Sequence, residues 1–333
     1  MKSAKKGKAW FNEKEVSTST RPYRLTFWCL RHFPRWLVNF ITYCVALYFF
    51  IFVKRARRET MRYQKNLKAF SKTFTKIRPL RQVATFAVTI VEKIDCWTNP
   101  LSFDKVHFSD DGVYQLIDQL NSGKGAFIIV SHLGDAEVLR SMANKNQMGI
   151  KQKIPITVLS DRDVSSNFSK AMNQMNNTFT LNTINVNDIS PATIELLQTT
   201  ISEGGMVVCA GDRMSKSKKE RYLTQNFLGK PAPFSYGVYL LADLIAAPVY
   251  FVWGFRKGNL ILRRESEMRV IKAVSHVGGG RKNRDERLNA LCAEFAGHLE
   301  RFAQEYPYQW YNFFDFWMFP NSEANGEKNE NQL

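Results

Sequence analysis

Hydrophobic positions along this chain fall into two alternating patterns. Short branched runs, bounded by glycine or polar residues, are separated by longer stretches in which apolar residues recur every three or four positions. The most apolar short run, Ala126 to Val130, follows Gly125 and reads as a buried strand. Segments 154–160, 183–187, 206–210, 248–255 and 260–264 read as further strands. Between them the spacing predicts helices. Val113, Leu116, Ile117 and Leu120 share one face, with Ser109 or Asp110 as a cap. Segment 167–175 and segment 236–246 are helical, and Ser190-Pro191 starts a helix that ends at Gly204-Gly205. Residues 283–304 form a long helix with Leu288, Leu291, Cys292, Phe295 and Leu299 on one side. The alternation predicts an α/β fold, a mostly parallel central sheet flanked by helices.

The N-terminal pattern differs. Leu25, Phe27, Trp28, Leu30 and Phe33 are interleaved with Arg24, Arg31 and Arg35, which suits a membrane surface. The run 36–53 is apolar and sits at the lower edge of the length that crosses a bilayer. Lys54-Arg55-Ala56-Arg57-Arg58 follows it in place of a small-residue cleavage site. Both flanks are basic, so the positive-inside rule gives no orientation, and a helix that dips in without a clean crossing is favoured. Residues 54–98 continue as helix, broken at Pro79. The organisation expected is a membrane-anchoring segment 1–58, a folded domain 59–320 and a disordered polar tail 321–333.

Charge changes the picture of the partners. A formal net charge of +17 implies an acidic partner: an anionic membrane, an acidic carrier protein or nucleic acid. No nucleic-acid-binding motif accompanies the charge. The five cysteines are scattered without a C-x-x-C pair, which suits a reducing compartment and argues against a disulfide framework or a zinc site.

Candidate chemistry lies where the first buried strand ends, at Ser131-His132-Leu133-Gly134-Asp135-Ala136-Glu137. Ligands of open α/β sheets bind at this edge. On one continuous helix, His132 and Glu137 would point roughly 140° apart at about 100° per residue. They can meet only with His132 in a loop and Glu137 in a first helical turn, where a carboxylate is also favoured by the helix dipole. The result would be an imidazole oriented by a carboxylate, the usual general base. Asp135 is the rival partner, and a histidine merely satisfied in a strand-to-helix turn is the plainer reading. Gly211-Asp212-Arg213 follows another buried strand, and its arginine suits an anionic or carbonyl group of a substrate. A structural Asp–Arg pair is the alternative. Lys216, Lys218, Lys219, Arg221 and Lys230 form a basic loop around a proline-flanked segment, either a carrier-docking surface or a solvated face. Nine of the fourteen residues 306–319 are aromatic, which marks a core-closing segment or a wall for an acyl chain.

Four pieces occur together in order: the basic amphipathic N-terminus, the 131–137 motif, Gly211-Asp212-Arg213, and Phe227-Leu228-Gly229-Lys230 followed by Leu240-Leu241-Ala242 and Ala247-Pro248-Val249. Pro307-Tyr308-Gln309-Trp310 closes the set. In these the chain resembles the lipid A late acyltransferase-like family of the lysophospholipid acyltransferase superfamily, over roughly residues 20–320. The continuation 311–317 looks closer to a branch of predicted acyltransferases found with aryl polyene pathways, whereas the main family usually carries basic residues there. The resemblance implies acyl transfer from an acyl carrier protein or acyl-CoA thioester to a hydroxyl of a lipid or glycolipid acceptor, with no cofactor. It implies His132 as general base, Glu137 as its orienting carboxylate, and Asp212, Arg213 and Asp135 around the substrate. It also implies residence on the cytoplasmic face of a bacterial inner membrane. A non-catalytic basic membrane adaptor is the competing reading.

Overall fold

The computed structural model describes residues 20–98, 106–109, 112–135, 139, 149–161, 182–214, 221–258 and 265–320. The helix expected at 167–175 and the strand expected at 260–264 lie outside them. Nine strands are described: β1 (Val106–Phe108), β2 (Ala126–Val130), β3 (Ile156–Ser160), β4 (Asn182–Asn185), β5 (Met206–Ala210), β6 (Tyr222–Phe227), β7 (Lys230–Ser235), β8 (Val249–Arg256) and β9 (Ser266–Lys272). Seven form one sheet in the order β1-β9-β8-β2-β5-β3-β4. All its pairings are parallel except β8 with β9. The α/β class and mostly parallel sheet expected from the alternation are therefore present.

Both faces of this sheet are covered, and the side-chain period of two shows how. Phe127 and Ile129 of β2 join one hydrophobic cluster; Ala126, Ile128 and Val130 join the other. The first cluster lies under the helix Arg284–Glu305, whose Leu288, Leu291, Cys292, Phe295 and Leu299 are buried on one side. The second lies under the helix Gly112–Asn121 through Val113, Leu116, Ile117 and Leu120. Strands buried on both faces need apolar residues at every position, which is why β2 reads as a continuous run.

Strands β6 and β7 form a separate antiparallel hairpin. Its two turn residues, Leu228 and Gly229, have φ of 51° and 73°, the left-handed pair that a type I′ hairpin turn requires. Leucine is a costly choice there. It is held because its side chain is buried in the main core and its N–H donates to Glu300 Oε2 at 2.6 Å. The segment expected to be a basic loop is thus an ordered ribbon at its 221–235 end.

Among the described residues, four helices precede the sheet: α1 (Arg21–His32), α2 (Arg35–Phe52), α3 (Lys54–Phe70) and α4 (Pro79–Thr98). α2 is long and apolar enough to cross a membrane. α3 runs through the boundary expected at residue 58 and places Tyr63 and Leu67 in the main core.

Candidate active site

Adjacent parallel strands β2 and β5 end side by side, Val130 opposite Ala210, and Gly211 N–H donates to Val130 O at 2.8 Å. The residues that follow the two strand ends bring His132 and Asp212 together. Asp212 Oδ1 lies 2.8 Å from His132 Nδ1, and Asp212 Oδ2 accepts the His132 backbone N–H at 2.8 Å. One carboxylate therefore fixes both the ring and the backbone of the same histidine. Trp310 Nε1–H adds a third donor to Oδ2 at 3.3 Å.

An ionised carboxylate only accepts hydrogen bonds, so the bond at Nδ1 assigns the ring proton to Nδ1 and leaves Nε2 to accept one. The His132 side chain keeps 31% of its exposure while that of Asp212 keeps 1%. A buried orienting acid and a reachable imidazole are the two features a positioned base requires. Burial, the Arg213 guanidinium and more weakly Lys93 hold His132 below the usual histidine range, against the pull of Asp212. Burial pushes the Asp212 carboxyl up. The charge and hydrogen bonds of His132, with Arg213, outweigh it and hold Asp212 below the usual carboxylate range. At neutral pH the pair is a neutral imidazole on an ionised carboxylate.

The aromatic C-terminal segment is a strap across this loop. Leu133 and Trp310 form an antiparallel bridge; Gly134 N–H donates to Gln309 O at 2.8 Å, and Tyr311 N–H donates to His132 O at 2.9 Å. The Gln309 side chain bonds both the N–H and the O of Arg256 at 2.9 Å, which ties the strap to the end of β8. Behind the strap runs a buried amide relay. Gln64 Nε2 donates to Gln82 Oε1 at 2.8 Å, and Gln82 Nε2 donates to Trp310 O at 2.6 Å. Trp310, 1% exposed, packs edge-on against Tyr63, Phe227 and Phe316.

No protein-family model and no curated protein matches the chain. The residues themselves must carry the functional argument. The expectation gave the orienting role to Glu137, with Asp135 as rival, and gave Asp212 to the substrate. Among the described residues the carboxylate on the imidazole is Asp212, and Glu137 lies outside them. Asp135 instead donates its backbone N–H to Gly254 O at 2.6 Å. Its carboxylate, like that of Glu92, adds to the burial that pushes the Tyr311 hydroxyl up. Arg213 stands at the rim, with Nη2 donating to Tyr311 O at 3.3 Å and its guanidinium 5.6 Å from the Phe314 ring. Missed altogether were Gln309 and Trp310 as supports of the site; the aromatic density signalled a closing segment but not its indole donor.

Two substitutions test this support. Gly134 has φ of 80°, and a Cβ there would stand 2.2 Å from Gly254 O. Gly134→Ala is expected to displace the loop from β8, to lower the melting temperature and to reduce the activity more than tenfold; a variant unchanged in both would show that the loop is not pinned. Trp310→Phe keeps the aromatic packing but removes one donor from a charged acceptor. It is expected to lower kcat about tenfold, equivalent to about 1.4 kcal/mol, with KM unchanged. A loss confined to KM would place Trp310 on the substrate.

Proposed function

We propose that this chain is a membrane-associated acyltransferase that moves an acyl chain from a thioester, on an acyl carrier protein or coenzyme A, to a hydroxyl of a lipid or glycolipid acceptor. The single observation that carries the reading is the doubly bonded Asp212–His132 pair at the C-terminal edge of parallel strands. Nε2 of His132 takes the hydroxyl proton as the acceptor oxygen bonds to the thioester carbonyl carbon. Collapse of the adduct breaks the carbon–sulfur bond, and the imidazolium returns the proton to the leaving thiolate. An ester and a free thiol result. Asp212 keeps Nδ1 protonated and stabilises the imidazolium between the two transfers.

Direct transfer suits the surroundings better than an acyl-enzyme. Cys209 and Cys292 are buried, and burial pushes the Cys292 thiol far up, so it is not a ready nucleophile. The bulk positive charge suits an acidic carrier, and the exposed apolar surface of α2 suits an acceptor that resides in a membrane.

The experiment is an assay of the purified full-length chain with acyl-carrier and acyl-CoA thioesters, with and without extracted bacterial lipids. Thiol release that depends on added lipid, with the acyl chain recovered as a lipid ester, is expected. Membrane binding without any acceptor-dependent thiol release would favour an adaptor.

A further inference from the structure

We infer that α1 and α2 lie in the plane of one leaflet of an anionic bilayer and do not cross it. This deepens the membrane association proposed above and rests on that association, not on the acyl chemistry. Length alone leaves the matter open. At 1.5 Å per residue, a helix of 18 residues is about 27 Å long, close to the thickness of a hydrocarbon core. Packing is more informative. α2 buries a narrow stripe of small residues, Val38, Thr42 and Ala46. Val38 packs with Val88 and Val91 of α4, whereas Ala46 packs with Val83 and Ala84. The order reverses along the two helices, so α2 lies antiparallel to α4 over most of its length.

α4 in turn is fixed to the folded domain by its other face. Gln82 bonds Trp310 O, Thr89 Oγ1 lies 2.8 Å from Tyr311 Oη, and Glu92 holds Arg256 at 2.9 Å. At the start of α2, Arg35 pairs with Asp95 of α4 at 3.3 Å. A crossing α2 would therefore carry α4, its charged and amide groups, and the strap into hydrocarbon. Backbone and charge at that depth need internal partners on every side, and a water-facing domain does not supply them.

What remains is a one-sided surface. Trp36, Phe40, Tyr48 and Phe52 of α2 are exposed, at 57% or more, as is Leu25 of α1 at 61%. α3 continues from α2 with seven Lys and Arg against a single acid, Glu59. Apolar side chains with a basic ridge beside them match the hydrocarbon and headgroup levels of one anionic leaflet. Phe313 of the strap packs against the same cluster as Ala46 of α2 and Val83 and Ala84 of α4, so the leaflet would lie beside the segment that supports the His132 loop.

The test adds one cysteine at a time to the five native ones, by Arg24→Cys before α2, Lys54→Cys after it and Lys124→Cys on the domain, all in the full chain. Inverted inner-membrane vesicles of a bacterial expression host are treated with a membrane-impermeant maleimide, and labelled peptides are read by mass spectrometry. The three positions are expected to label alike, before and after detergent. Molar salt is expected to leave the protein on the vesicles. Positions 24 and 54 labelling from opposite sides would show a crossing helix and overturn the inference. Release of the intact chain by salt alone would also overturn it, leaving the apolar face to a protein partner such as a second copy. None of these readouts requires catalysis, so an inactive enzyme that labels as expected would count against the acyl-transfer reading only.

Discussion

Asp212→Asn is expected to lower the acyl-transfer rate about 10³- to 10⁴-fold while the chain stays folded. The substitution keeps the size of the side chain and one carbonyl oxygen, so the His132 backbone N–H and Trp310 Nε1–H can retain an acceptor. The other position becomes an NH₂ group facing Nδ1, 2.8 Å away in the native pair. Two donors cannot share that contact, so the imidazole is driven to carry its proton on Nε2 and loses the lone pair that acts as base. A wrong tautomer of this kind costs about 10⁴-fold in a comparable triad, and acid–base components as a class contribute about 10²- to 10⁴-fold. The measurement is kcat for Asp212→Asn beside Glu137→Ala, with circular dichroism and melting temperature as controls for folding. A folded Asp212→Asn near the native rate, with the loss confined to Glu137→Ala, would return the orienting role to Glu137.

The comparison of those two variants also shows where sequence reasoning stopped. His132 was legible because a buried parallel strand is a continuous apolar run and its end is a predictable place. Its spacing to Glu137 ranked a nearby acid first, since local spacing is what a single sequence displays. Asp212 stands eighty positions away, and only the adjacency of β2 and β5 brings it to the ring. Strand order is set by how helices pack on the sheet, which no local pattern records. β9 was missed for a different reason. It buries Glu267 and Met268 amid charged neighbours, and its ladder with β8 is antiparallel, so no apolar run announces it. The β6–β7 hairpin was hidden by Pro231 and Pro233, which demote a strand in any sequence reading. In a two-stranded ribbon, residues two apart turn their missing N–H toward the same open edge, where no ladder bond is lost. The strap was visible only as aromatic density. Its specific role depends on which indole meets Asp212, a matter of tertiary contact alone.

His132→Ala is expected to abolish transfer, and the pH dependence of the native chain should show why. The imidazole must be neutral to take a proton, and its environment holds it below the usual value of 6.5, by burial first and the Arg213 guanidinium second. The rate is therefore expected to be flat through neutral pH and to fall on the acid side with a midpoint below 6.5. Stability should follow the same direction by linkage. Above 6.5 the histidine is neutral folded or unfolded and contributes no pH dependence. As pH falls below 6.5 the unfolded chain gains a proton that the native chain resists, so stability declines. Asp212 acts with the same sign at lower pH: held below 3.8 in the native state, its contribution is present above that value and is lost as pH falls through the native pKa. His132→Ala removes the first of these losses along with the activity. Its melting temperature should depend less on pH between neutrality and about 5 than that of the native chain, and that check separates a missing base from a misfolded protein. A His132→Ala chain that retains most of the native rate would show that the proton is taken elsewhere. A native acid limb with its midpoint above 6.5 would show that Asp212 outweighs burial and Arg213 at the ring.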